Sequence, residues 1–154
     1  MRFRFFLLWL VFTVCLCWLS GLAQANFQDG LDAYNGQDYA TALKEWLPLA
    51  NQGDAPVQLI LGIMYYNGQG VPQDFTEAVR WYRLASEQGY AGAQYNLALM
   101  YANGQGVPQN DVEAFRWYRL AAEQGHAGAQ TSMGINYLNR QGMVLGKQAA
   151  VRWF

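Results

Sequence analysis

From residue 39 onward the chain alternates segments that carry one face of small and apolar residues with connections rich in glycine and asparagine. Gln94, Leu97, Ala98 and Tyr101 fall at i, i+3, i+4 and i+7, and Ala114, Tyr118 and Ala121 continue that spacing in the next segment. Such a period makes each segment a helix with one stripe to bury. The small residues on both stripes let two such helices approach closely. Asp74 stands three residues before Glu77, and Asn110 three before Glu113, which reads as a capping box in which cap and glutamate each satisfy a backbone donor. Gly53, Gly89 and Gly125 suit the left-handed residue beyond a helix end. Asn-Gly-Gln-Gly-Val-Pro, at 67–72 and again at 103–108, supplies turn residues and a proline that blocks helix continuation. Phe27, Leu31 and Tyr34 mark a short lead-in helix. The pattern predicts helices at 27–35, 39–52, 55–67, 75–88, 91–103, 111–124, 127–139 and 147–154, which makes four pairs with the last incomplete.

These pairs are copies of one unit. Residues 73–108 realign with 109–144 without a gap, 20 of 36 positions being identical, and 37–72 falls into the same register. Ala55, Ala91 and Ala127 open the first helix of each pair, and Tyr65, Tyr101 and Tyr137 close it. The register runs on to Ala150-Val151-Arg152-Trp153-Phe154, which matches 78–82 and 114–118, and it stops halfway along a helix. Val151, Trp153 and Phe154 then lack a following helix, so the expectation is either association through this open end or a chain truncated within a repeat.

The first 25 residues follow other rules. Arg2 and Arg4 precede an apolar run from Phe5 to Leu19, and Ala23 and Ala25 place small side chains where signal peptidase needs them. This predicts a bacterial Sec-type secretory signal at 1–25 cleaved after Ala25, a repeat array at 26–154, and a periplasmic or secreted location. The competing reading is an uncleaved anchor, because 5–23 carries no charge and approaches the roughly 20 residues that span a membrane. A membrane partner is expected only in that case. Cys15 and Cys17 both lie in the segment, so a chain starting at Asn26 has no thiol for a disulfide, a nucleophile or a zinc site.

Composition narrows the function classes. The chain is 53% hydrophobic and 14% charged, which excludes intrinsic disorder. Its formal charge is -1 with the basic residues scattered singly, so the basic patch of a nucleic-acid binder is missing. Without Arg2 and Arg4, eight basic residues face eleven acidic ones, a charge of -3. Candidate chemistry is sparse. His126 is the one histidine, with no serine or cysteine partner at a recognisable spacing, and its register makes it an exposed loop residue. Glu77 and Glu113 read as capping residues, and Glu87 and Glu123 as last-turn residues. Asn-Gly-Gln-Gly is followed by no Lys-Ser/Thr and is not a phosphate loop. Trp81, Trp117 and Trp153 recur as inter-repeat packing demands, not as a carbohydrate ladder. No catalytic, cofactor-binding or metal-ligating residue is assigned.

The strings Ala-Gly-Ala-Gln-x-x-Leu-Ala-x-Met-Tyr-x-Asn-Gly-Gln-Gly-Val-Pro and Glu-Ala-x-Arg-Trp-Tyr-Arg-Leu-Ala-x-Glu-Gln-Gly resemble the Sel-one-like repeat, a relative of the tetratricopeptide repeat. The third copy departs from the pattern with Arg140 and Met143-Val144 in its loop. The resemblance implies an all-α, right-handed α-solenoid of antiparallel helix pairs with a 36-residue period, acting as an adaptor for protein or peptide ligands. It also implies that the first helix of each pair lines the concave side. Packing positions must repeat, whereas a surface that reads a ligand is free to vary between units. On the face opposite the buried stripe, Leu59, Tyr95 and Thr131 occupy one level, Ile63, Leu99 and Ile135 the next, and Tyr66, Ala102 and Leu138 a third. Asn67, Asn103 and Asn139 follow at the helix end. Together they would form an apolar groove edged by amides, suited to an extended peptide or an amphipathic helix. The alternative is that Ile63, Leu99 and Ile135 pack on the next repeat. The leading expectation is a non-catalytic periplasmic scaffold. One alternative is a β-lactam-binding or hydrolysing enzyme like some cysteine-rich relatives, whose cysteine pairs are missing here. Another is a membrane-tethered envelope assembly factor.

Overall fold

A computed structural model describes residues 26–140, with side chains described as far as Ile135. The expected leader at 1–25, the altered loop at Met143-Val144 and the helix at 147–154 with its open end lie outside the described residues. Among those described there are seven helices and no strand: α1 (26–35), α2 (Tyr39–Asn51), α3 (Ala55–Asn67), α4 (Phe75–Glu87), α5 (Ala91–Asn103), α6 (Asp111–Glu123) and α7 (Ala127–Arg140). Every boundary falls within one residue of the expected one. The most extensive contacts join α3 to α4 and α5 to α6, and α4–α5 and α6–α7 link one pair to the next.

The buried stripe forms as the periodicity requires. Gln94, Leu97 and Ala98 are buried and Tyr101 is half-buried, with Ala114, Tyr118 and Ala121 buried opposite them. Small residues bring the helices together: Gly62 of α3 lies so close to the Tyr82 ring of α4 that even a Cβ there would collide with it. Two apolar clusters result. Trp81 of α4 completes the first with Trp46, Leu49, Val57, Leu61 and Met64, while Tyr82 and Val79 belong to the second with Leu97, Met100, Tyr118 and Met133. Adjacent residues of one helix thus serve the cores on its two sides.

The caps form only half of the expected box. Asp74 accepts from the N–H groups of Thr76 and Glu77 at 2.9 and 3.0 Å, and Asn110 from those of Val112 and Glu113 at 3.0 and 3.1 Å. The glutamates do not reach back. The N–H of Asp74 already donates to the Tyr65 carbonyl and that of Asn110 to Tyr101, which fastens each loop to the helix before it. Glu77 and Glu113 instead pair with Arg80 and Arg116 at 2.9 and 3.1 Å. These exposed i,i+3 pairs contribute little to stability.

A glutamine relay joins successive pairs. Gln58, Gln94 and Gln130 recur at the repeat interval and donate Nε2 to the carbonyls of Ala50, Ser86 and Ala122 at 2.9, 3.2 and 3.3 Å. Those carbonyls sit in the last turn of the preceding helix, where each accepts an N–H, from Gly53, Gly89 or Gly125, and the glutamine supplies a second donor. Gln88 and Gln124 in turn donate to the Oε1 atoms of Gln58 and Gln94, both at 2.8 Å. Gln94→Leu removes two hydrogen bonds at once, the one to the Ser86 carbonyl and the one from Gln124, so the expected loss is about 1–3 kcal/mol. Urea unfolding of the variant, with unchanged helicity before the transition, is the measurement that checks it.

The second glycine of each loop abuts the preceding unit. A Cβ on Gly70 would run into the backbone of Tyr39, and one on Gly106 into the carbonyl of Phe75. Both glycines also have positive φ, 74° and 69°.

Candidate functional site

Where α3 and α5 run side by side they leave a groove of about 450 Å³. Ile63, Tyr66 and Asn67 of α3 form one wall, and Asn96, Leu99, Met100 and Asn103 of α5 the other. Tyr82 of α4 reaches it from below and Gln105 closes one end. No charged side chain is among these lining residues. The rim amides are held by short local bonds, Asn67 Nδ2 to Gln69 Oε1 at 3.3 Å and Asn103 Nδ2 to Gln105 Oε1 at 3.5 Å.

Five of the eleven expected site residues are brought together here: Ile63, Tyr66, Asn67, Leu99 and Asn103. Ile63, Tyr66 and Leu99 are half-buried, partly packed on the second core cluster while still lining the groove. Ile63 and Leu99 thus line the groove and pack on the cluster, while Ile135 of the same level does neither. Leu59 and Tyr95 do not line it. Leu59 lies over Gly92 and Tyr95 over Gly128, each on the first turn of the next repeat's first helix, so they are inter-repeat packing residues. Their large side chains fill the space that the glycine leaves. Thr131 and Ile135 stand exposed on α7, and the side chains of Leu138 and Asn139 lie outside the described ones. Sequence reasoning missed Asn96, Tyr82, Met100 and Gln105 as lining residues. Asn96 could have been found, because its level holds Ile60, Asn96 and Ser132, a disagreement between copies as marked as those that were used.

His126 corrects another expectation. It is half-buried, its Nδ1 accepts from the Ala129 N–H at 3.2 Å, and its ring stacks on Tyr95 with centroids 4.6 Å apart. It caps α7 as Asp54 caps α3, where the carboxylate accepts from the Val57 N–H at 3.0 Å. The imidazole lone pair is thereby used in holding the helix start. Among the described residues no group of three His, Cys, Asp or Glu side chains is placed to hold a metal ion, and no helix is long and apolar enough to cross a membrane.

A model of the Sel1 repeat matches residues 55–90, 91–126 and 127–154, starting at the first residue of α3. The chain belongs to the Sel1 repeat family. Its fold is that of the solved members. The crystal structure of a Sel1 repeat protein from Oxalobacter formigenes matches with a TM-score of 0.75 at 37% identity, over 83% of this chain and 51% of that one. That of c5321, a protective antigen present in uropathogenic Escherichia coli strains and displaying an SLR fold, matches with a TM-score of 0.81 at 37% identity, over 92% of this chain and 31% of that one. The chain thus spans about half the length of the first and about a third of the second. No curated protein matches it. Sel1 repeats are typically non-catalytic scaffolds for protein interaction.

Within the Sel1 array two buried tyrosines are shifted, Tyr82 at the groove and Tyr118 one repeat later. Burial, and after it the neighbouring Tyr66, pushes the Tyr82 phenol well above its ordinary value. Burial and then Tyr95 push Tyr118 up to about 12, against a hydrogen bond with Ser132 that lowers it. Well below pH 10, the ordinary tyrosine value, folded and unfolded chains both keep these protons and stability is unaffected. Above pH 10 the unfolded chain releases them while the folded chain holds them, so stability falls as pH rises towards 12. Parallel titrations by tyrosinate absorbance and circular dichroism should show the last tyrosines ionising together with loss of helix. Tyr118→Phe should make the loss shallower.

Proposed function

We propose that this Sel1 repeat chain is a periplasmic or secreted adaptor without catalytic activity, released by cleavage after Ala25, which holds a protein or peptide segment in the α3–α5 groove. The observation that carries this reading is the lining of the groove. It combines an apolar floor of Ile63, Leu99 and Met100 with uncharged amides at Asn67, Asn96 and Asn103. A phosphate or carboxylate ligand would find no cation there to replace its water. A polypeptide brings both apolar side chains and amide groups, which is what such a surface pairs with.

Asn103→Arg tests the reading, because Asn103 is exposed at the last residue of α5 and a bulky cation there blocks the groove without entering the core. A tagged mature chain should capture a partner from periplasmic extract, and the variant should lose it at an unchanged melting temperature. Equal capture by both would overturn the assignment of the groove. Intact-mass analysis should show a chain starting at Asn26, and incubation with nitrocefin should give no turnover above buffer.

A further inference from the structure

Tyr82 is a polar side chain buried almost completely, 3% exposed, that nevertheless lines the groove. Its carbonyl accepts from Ser86 Oγ at 2.6 Å, but its hydroxyl has no hydrogen-bond partner among the described residues. Asn96, half-buried on the opposite wall, has none for its side-chain amide either. One repeat later the same two levels hold Tyr118 and Ser132. The α3–α5 junction therefore leaves a donor and acceptor set open to the groove. The open set is neutral, with a hydroxyl and a primary amide, and the side chains beside it are Ile63, Leu99 and Met100.

We infer that the floor of this groove is a subsite for one peptide group of an extended, uncharged segment, whose backbone pairs with the Tyr82 hydroxyl and the Asn96 amide while its neighbouring apolar side chain lies on Ile63, Leu99 and Met100. This rests on the adaptor reading and specifies its ligand. A backbone amide is the group that matches the set: its carbonyl accepts from Tyr82 or from Asn96 Nδ2, and its N–H donates to Asn96 Oδ1. A sugar is the poorer match, because the Tyr82 ring lies against Gly62 and the Tyr66 ring is tilted against Phe75 with centroids 5.3 Å apart, so neither is laid out flat as a stacking platform. An ionised side chain at the centre of the segment would lose its water to a surface without a counter-charge.

The test uses the full mature chain and an end-capped probe, acetyl-Thr-Val-Leu-Val-Thr-amide, with binding followed by nuclear magnetic resonance of the Asn96 side-chain amide. Saturable shifts of that amide are expected. Tyr82→Phe keeps the packing, confirmed by an unchanged melting temperature, and should weaken binding about fivefold, the worth of one hydrogen bond. Asn96→Ala should do the same, and a probe with lysine or glutamate in place of the central leucine should not bind. Equal affinity for wild type and both variants, or binding of maltose in place of the peptide, overturns the inference. A partner captured through the groove, blocked by Asn103→Arg but indifferent to Tyr82→Phe, overturns this subsite while leaving the adaptor reading intact.

Discussion

Gly106→Ala should destabilise the chain by about 3–5 kcal/mol, combining roughly 1–3 for a non-glycine residue at positive φ with a similar amount for overpacking. The residue has φ 69°, and a methyl group there would meet the carbonyl of Phe75 and the N–H of Thr76. These are backbone atoms at the start of α4, so no side-chain rotation relieves the contact. The loop would have to lift off the preceding repeat. Gly89 is the control, since its φ is 87° but nothing lies within 4 Å of its missing Cβ. Gly89→Ala therefore meets only the conformational term, about 1–2 kcal/mol. Thermal and urea unfolding of the two variants side by side separates the steric contribution from the dihedral one. Equal losses would mean that the loop does not press on its neighbour as the structure shows. Gly70, with φ 74° against the backbone of Tyr39, should behave like Gly106 and not like Gly89.

Trp81→Ala is the second large effect, with an expected loss of about 3–5 kcal/mol for emptying a large buried site. Trp81 is 1% exposed and is the α4 residue in the cluster formed by Trp46, Leu49, Val57, Leu61 and Met64. Its removal therefore takes away apolar contact between α4 and the helices before it, at a point where each repeat is stabilised chiefly by its neighbours. Unfolding should lose its single transition, with the α1–α2 region, followed by the fluorescence of Trp46, melting before the rest. Trp81→Phe should cost much less. It keeps a ring in the site, and it removes the indole Nε1, a buried donor with no partner. A Trp81→Phe variant as unstable as Trp81→Ala would show that the indole has an acceptor after all.

The two variants probe different seams of the same solenoid, one through a loop and one through a core. The loop joins units a full repeat apart, Gly106 to Phe75, whereas Trp81 meets α3 of its own pair as well as Trp46 and Leu49 of the helix before it. The glutamine relay is a third seam. Gln94 falls on the stripe with Leu97 and Ala98 and reads from its position as another buried residue. Its use is to donate to the Ser86 carbonyl at the end of the preceding helix and to accept from Gln124 30 residues away.

Much of this was legible in the residues. Helix spans follow from local spacing and from the caps at Asp74 and Asn110, because a helix is closed by bonds four residues apart and its ends by side chains within three. The repeat period follows from self-similarity, and with it the pairing of α3 with α4 and of α5 with α6. Half of the groove followed as well: Ile63, Tyr66 and Leu99 were singled out because the copies differ there, and Asn67 and Asn103 because they follow those levels at the helix end. What the sequence could not decide was the rotation of one helix about its axis relative to the next. A turn of the α3 face towards α5 puts Ile63 in the groove and, four residues earlier, lays Leu59 over Gly92; the spacing is the same in both cases. The same holds for His126, which the register leaves in a turn and which the packing of Tyr95 makes a cap. It holds also for Tyr82, whose place in the core was evident but whose open hydroxyl depends on what stands opposite it on α5. Local periodicity determined the elements and their order, since those depend on bonds within a few residues. The groove and its free polar groups were decided only in the tertiary structure, where side chains a repeat apart in the chain meet across a helix interface.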